Sequence, residues 1–280
     1  MKKKIKKGSL ISSIMIPFVF LFLITSEKSL CSEDLTEEHR FGKEYLHHLF
    51  DDSIRIYSSP IKWDTGDYLK CSAMLGTGLV LFVFDESLYN WVQKNKTEHS
   101  EEAYSFVTDL GHGAFLAGIS TLLYTTGEIS RNDELRKIGL YSFQSWLTTG
   151  LFIIGMKISI GRSRPNVDQG AYSFRPFCFS SRSHSFPSGH AASSFAVAAV
   201  ISEYSGTFVD ILCYSLAAMV AFSRVHLEKH WMSDVFIGSA LGYFVGKKAC
   251  DLNAQRDQNR IQVGFDFNKE YSGITLSFSF

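Results

Sequence analysis

Apolar residues gather in six stretches, near 68–84, 106–126, 138–157, 189–203, 210–224 and 234–247. Each is studded with Gly, Ala, Ser or Thr, a composition that lets helix backbones approach closely. Several fall short of the ~20 residues that a bilayer-spanning helix needs. The connection from Glu128 to Lys137 is short, which predicts that the second and third helices pack antiparallel. Ahead of them, residues 33–58 are polar, with Phe41, Tyr45 and Leu49 at helical spacing and Leu46 and Phe50 beside them. This pattern predicts an amphipathic helix lying on the protein's own core in preference to a membrane surface. The tail changes period. Ile261, Val263, Phe265 and Phe267 alternate with polar or small residues, and after a polar turn Ile274, Leu276, Phe278 and Phe280 do the same. Alternation on both sides of a turn predicts a β-hairpin, packed on the helices or added to a partner's sheet edge. Two strands are too few for a membrane barrel, which needs at least ~8.

The N-terminus carries Lys2, Lys3, Lys4, Lys6 and Lys7, then an apolar run from Leu10 to Ile24 and small residues at Ser29, Cys31 and Ser32. That order describes an export signal, either cleaved or retained as an anchor, and it addresses the chain to a bacterial cell envelope. Lys plus Arg and Asp plus Glu both total 28 in 280 residues, so the balanced charge gives no electrostatic basis for nucleic-acid binding. Hydrophobic residues at 45% and charged residues at 20% exclude a disordered chain. A mean hydropathy of +0.02 is high for a soluble enzyme and low for a bundle of lipid-facing helices. The cysteines Cys31, Cys71, Cys178, Cys213 and Cys250 form no C-x-x-C pair and read as small hydrophobes.

Three polar clusters interrupt the apolar background. Lys157, Arg162 and Arg164 close the third apolar stretch, with Pro165 stopping the helix. Cations there also suit the negative end of a helix dipole, so they have a purely structural reading. Pro187-Ser188-Gly189-His190 opens an Ala-rich run. It reads as a helix N-terminus with Ser188 as cap, where exposed amides can bind an anion. The third cluster spans Ser223, Arg224, His226, Lys229, His230 and Asp234. His230 and Asp234 stand four apart, on one helical face, so the carboxylate can fix one imidazole nitrogen and leave the other as a nucleophile or base. Each cluster alone is commonplace. Together, three cations, an anion-binding helix start and two histidines, one of them beside an acid, make a kit for phosphoryl transfer that requires no metal.

The motifs K-x6-R-P at 157–165, P-S-G-H at 187–190 and S-R-x5-H-x3-D at 223–234 resemble, in order and completeness, the type 2 phosphatidic acid phosphatase superfamily. That superfamily also holds bacterial non-specific acid phosphatases and vanadium haloperoxidases, and the resemblance covers about residues 68–247. It implies an all-α, six-helix bundle, with the amphipathic helix and the hairpin outside it. The resulting division is an export signal or anchor over 1–31, an amphipathic segment over 32–67, a phosphatase bundle over 68–250 and a hairpin tail over 251–280.

Carried over by position, the resemblance implies that His230 is a nucleophile forming a phosphohistidine, that Asp234 orients it and that His190 is the general acid. Lys157, Arg164, Ser188, Gly189 and Arg224 would bind phosphate, with no cofactor or metal. Met232 stands where members often carry Pro. Arg182 and His184 would lie toward the entrance or in a solvated loop. The apolar composition and envelope address favour a lipid phosphate or pyrophosphate as substrate: phosphatidate, phosphatidylglycerophosphate, polyprenyl pyrophosphate or a lipid A phosphate. The alternatives are a soluble periplasmic acid phosphatase, a lipid phosphotransferase and a vanadium haloperoxidase. The site is expected to face the periplasm, in a bundle that sits at a membrane or only partly in one.

Overall fold

A computed structural model describes residues 40–258 together with the backbone of 261–268 and 271–278. The expected export segment over 1–31, and the start of the amphipathic segment, lie outside the described residues. Among those described, the chain forms eight α-helices: α1 (Lys43–Tyr57), α2 (Thr65–Lys94), α3 (Glu98–Leu110), α4 (Gly113–Ser130), α5 (Asp133–Ile160), α6 (Gly189–Glu203), α7 (Thr207–His226) and α8 (Met232–Gln258). Strands β1 (Ile261–Asn268) and β2 (Tyr271–Phe278) pair antiparallel, with Ile261 opposite Phe278.

The expectation of six helices is corrected to a predominantly helical body with a different count. The second apolar stretch, 106–126, is divided between α3 and α4, whose axes differ by 49°. At the break, a Cβ on Gly111 would come within 2.2 Å of Val220 Cγ1, so only glycine passes α7 this closely. The ring of His112 then caps α4 by accepting from the Ala114 amide. The first stretch, conversely, runs well beyond residue 84. α2 starts at an Asp64 cap and continues to Lys94 through Asp85, because its buried residues Gly78, Asp85 and Val92 recur every seven positions and line one seam. Around that seam Leu69, Leu75, Leu79, Val80, Val83 and Phe84 remain exposed. By length and composition α2 and α7 can each cross a membrane, and the bent α3–α4 pair makes a third candidate.

α6 is the central helix. Ten of its residues, from Ala191 to Ile201, are buried against its neighbours. One core cluster joins Leu116, Ile119 and Leu123 of α4 to Leu135 and Ile138 of α5, Val197 and Ile201 of α6 and Val209 of α7. The contacts of Gly127 with Arg136 and of Gly139 with Tyr124 set α4 and α5 antiparallel, as the short connection predicts. α8 meets α6 along Gly238, Gly242 and Gly246, where added Cβ atoms would lie 2.6, 1.9 and 2.6 Å from the backbone oxygens of Ser188, Ala192 and Ala196. α1 docks through Tyr45, whose hydroxyl donates to the Leu140 carbonyl at 2.9 Å. Its buried Asp52 accepts from Gln144 at 2.9 Å and Arg256 at 2.7 Å. The opposite face of α1 leaves Leu46, Phe50 and Ile54 exposed, while Phe41, ahead of the helix, lies with its ring 5.6 Å from that of Tyr45.

The α6–α8 seam carries the site between its ends, so its spacing is testable. Gly242→Ala forces a methyl into the Ala192 carbonyl and should cost about 1–3 kcal/mol, read as a fall of a few degrees in the thermal midpoint in detergent. Gly150→Ala, where a Cβ meets nothing within 4 Å, should leave the midpoint unchanged or higher. Equal midpoints for the two variants would contradict this packing.

Candidate active site

The three sequence clusters lie at the ends of different helices and converge on one another. Lys157 is in the last turn of α5, and Arg164 follows in the loop after it. Ser188 stands at the N-cap position of α6 but its hydroxyl makes no cap bond, and Gly189 and His190 follow in the first turn. Arg224 is in the last turn of α7, His230 lies in the short link to α8, and Asp234 is in the first turn of α8. The Ser188 amide donates to the Asp234 carbonyl at 3.0 Å, which ties the starts of α6 and α8 together. Lys157 Nζ donates to the His184 carbonyl at 2.8 Å, with its stem against Gly189. Arg224 donates to the Thr108 hydroxyl at 2.5 Å. The Nε of Arg164, the Nε of Arg224 and the Oγ of Ser188 are buried and find no partner among the described residues. Three donors are thus held out of water with nothing to donate to, a costly arrangement unless a ligand completes it.

His230 is 2% exposed, and its Nδ1 lies 2.6 Å from the Ser185 carbonyl. A carbonyl only accepts, so Nδ1 carries the proton and the lone pair of the neutral ring is on Nε2. Burial first, then the charges of Lys157, Arg224 and Arg164, holds the imidazole pKa well below its ordinary value, against the raising influence of the Ser185 contact. Burial and these neighbours favour the uncharged ring, whose Nε2 lone pair lies among Lys157, Arg164 and Arg224. Burial first, then Arg164, also pushes the Lys157 amine down to about 7.

Asp234 differs from the direct orienting role expected of it. Its carboxylate stands 3.9 Å from His230 Nδ1, because the Ser185 carbonyl takes that nitrogen's proton. Instead, Asp234 Oδ2 accepts from the Ser185 hydroxyl at 2.5 Å and the Trp231 amide at 3.0 Å, while Oδ1 accepts from Arg162 at 2.5 Å. It holds the Ser185 hydroxyl and the Trp231 amide, next to the imidazole, without bonding the ring.

Arg162 is the centre of a network that no motif announces. Its guanidinium bridges Asp234 and Asp85, the latter at 2.8 Å, and donates to the Ser233 hydroxyl and the Ala171 carbonyl. Asp85 also accepts from the amide and hydroxyl of Ser233, at 2.9 and 2.5 Å. Both carboxylates are fully buried. The guanidinium carbon lies 4.7 Å from the Phe82 ring centre and 5.6 Å from that of Trp231, so aromatic faces cover the cation where acids do not. The sequence reading stopped its first apolar stretch at residue 84. An acid directly after such a run was the available signal for Asp85. His112, with its ring 6.0 Å from that of His190, is a second residue the sequence reading did not single out. His226 turns away from the cluster, to Ser100 at 3.0 Å and the Tyr104 ring. His184 bonds the Cys178 carbonyl within its own loop.

Residues 139–253, from α5 into α8, match the family model described as PAP2 superfamily. The matched residues include all three motif clusters, from Lys157 to Asp234. Among its relatives are the lipid A 1-phosphatases of Rhizobium etli, 28% identical over 65% of this chain and 82% of that one, and of Rhizobium johnstonii, 29% identical over 65% and 78%. The solved structure of the transmembrane PAP2-type phosphatidylglycerolphosphate phosphatase of Bacillus subtilis superposes with a TM-score of 0.53 at 20% identity. That superposition covers 68% of this chain and 98% of the other, and it establishes a shared helical fold.

The network makes a stability prediction. Asp85→Ala strands the Ser233 amide and removes one of the two carboxylates on a buried guanidinium, and should cost about 2 kcal/mol or more. Denaturant titration in detergent reads this directly; a loss under ~0.5 kcal/mol would show that Arg162 does not depend on Asp85.

Proposed function

We propose that this protein is a PAP2-type phosphatase that removes the phosphate from a phosphorylated lipid, with His230 as nucleophile. The observation that carries the reading is the neutral, buried His230. Its Nδ1–H is bound to the Ser185 carbonyl, and its surroundings are Lys157, Arg164, Arg224 and three buried donors without protein partners. A phosphate bound there accepts from Arg164, Arg224 and Ser188, and the cations offset the charge on its oxygens. His230 Nε2 attacks phosphorus, forming an N–P bond as the ester P–O bond breaks. His190, in the first turn of α6, has its pKa pushed down to about 3 by burial and then by Arg224, His112, Lys157 and Arg164. The negative charge of a bound phosphate opposes those cations, so that His190 is protonated with substrate in place and gives that proton to the departing oxygen. Water then attacks the phosphohistidine while His190 takes its proton, and inorganic phosphate leaves with His230 restored. Asp234 acts through Ser185 and Trp231, holding the loop that presents the ring.

The lipid reading draws on α2 and α7, long and apolar enough to cross a membrane, and on the two relatives named for lipid A. Lipid A phosphate is therefore placed first among the candidate lipids. The bundle over 68–250 carries the chemistry, with α1 and the C-terminal hairpin outside it.

Phosphate release from lipid A, phosphatidate, phosphatidylglycerophosphate, polyprenyl pyrophosphate and p-nitrophenyl phosphate tests substrate and mechanism together. We expect lipid-selective release that survives EDTA and falls at least ~10³-fold in His230→Ala. Release from the small ester alone would mark a soluble-type acid phosphatase, and full activity in His230→Ala would remove the nucleophile assignment.

A periplasm-facing site is the second part of the proposal, supported by the basic, then apolar, N-terminal sequence. Ser181 is exposed in the loop that enters the site from α5. Ser181→Cys should react with a small membrane-impermeant maleimide in intact cells. Protection there, with labelling only after lysis, would place the site on the cytoplasmic face.

A further inference from the structure

The segment between Arg164 and Ser185 leaves the cationic site and returns to it. On its outer side Tyr172, Phe174, Phe177 and Phe179 stand in solvent, the last two 74% and 80% exposed. Four exposed aromatics within eight positions form a concentrated apolar surface of the kind that marks an interaction site. The loop is not loose. Its backbone is bonded to the end of α5 from Phe177 N to Ile158 O at 2.7 Å, from Arg175 N to Gly161 O at 2.8 Å and from Ser163 N to Ser173 O at 2.9 Å. Phe177 is held at φ +56°, a conformation that costs an aromatic residue energy and that these bonds impose. The fold thus holds a Phe side chain outward where its own core would have been the cheaper place.

Two further features say what covers this surface. The loop continues the apolar face of α2: Tyr172 donates to the Val83 carbonyl at 3.1 Å and packs its ring 5.2 Å from that of Phe82, beside the exposed Val83 and Phe84. Arg175 and Arg182 are exposed on the same loop and are complementary to anionic headgroups. Aromatic rings with flanking arginines, joined to a helix able to cross a bilayer, match the chemistry of the membrane–water interface.

We infer that the 172–182 loop is a rigid wedge that seats in an anionic lipid interface and delivers the lipid phosphate from that surface to His230. This rests on the lipid reading above and deepens it: the loop supplies the apolar half of substrate recognition, which the three motifs lack.

The experiment compares the full-length wild-type enzyme with the double variants Phe177→Ser/Phe179→Ser and Phe177→Leu/Phe179→Leu, on phosphatidate in anionic vesicles and on p-nitrophenyl phosphate. The serine pair should lose about tenfold or more in kcat/KM on vesicles while staying within about twofold on the soluble ester. The leucine pair should keep most of the vesicle activity. Equal losses on both substrates, or no loss on vesicles, would overturn the inference. Separately, Phe179→Trp in proteoliposomes should gain emission that is quenched by lipids brominated near the headgroup, measured against the parent protein. Absence of that quenching would mean that protein or water covers the loop, and would also overturn the inference. If the wild type cleaves the ester but no lipid while the Phe179→Trp signal is still quenched, the substrate reading fails and the interfacial loop stands.

Discussion

A guanidinium buried between two carboxylates is the constraint to which the rest of the site is fitted. Arg162, 1% exposed, cannot shed its charge and cannot reach water, so Asp85 and Asp234 must both stay where they are. Asp85 belongs to α2, Arg162 to the loop after α5 and Asp234 to α8, so one ionic cluster fixes three elements distant in sequence. The spare oxygen of Asp234 then sets Ser185 and Trp231, and Ser185 sets His230. The position of the His230 ring thus depends on a chain of charge-assisted bonds that starts in a helix with no motif of its own.

The same cluster shows how an apolar protein can hold so many charges in its interior. Two buried acids face one buried guanidinium, and a short distance away Lys157, Arg164 and Arg224 crowd a neutral imidazole. In the first group the Arg162 guanidinium donates to Asp85, Asp234, Ser233 and Ala171, all within the protein. In the second, the Nε atoms of Arg164 and Arg224 have no partner among the described residues, which suits them to an anion.

The outside of α2 differs from its inner seam. α2 turns Gly78, Asp85 and Val92 toward the body and leaves Leu69, Leu75, Leu79, Val80, Val83 and Phe84 exposed. The loop that leads into the site carries its aromatics on the same side. α2 thus carries Asp85 of the Arg162 network on one face and an apolar exposed surface on another, and under the proposed function this joins the site to the side from which a lipid phosphate arrives.

Much of the site was legible because phosphoryl transfer needs specific groups at helix ends, and helix ends are short-range features. Residue type, spacing and the flanking apolar runs marked the three clusters, and the family resemblance singled out Lys157, Arg164, Ser188, Gly189, His190, Arg224, His230 and Asp234 within them. The helical class was legible for the same reason, since periodicity and small-residue content are local. What the tertiary structure alone decided is which groups meet across the bundle. The four-residue spacing correctly put Asp234 near His230, but only the fold shows a backbone carbonyl at the ring nitrogen instead of the carboxylate. Asp85 pairs with a residue 77 positions away, and the break at Gly111 exists because α7 passes there. Neither leaves a local pattern. Sequence by itself determined the inventory of reacting groups; long-range packing determined their partners, because a buried charge is satisfied by whatever the fold brings to it.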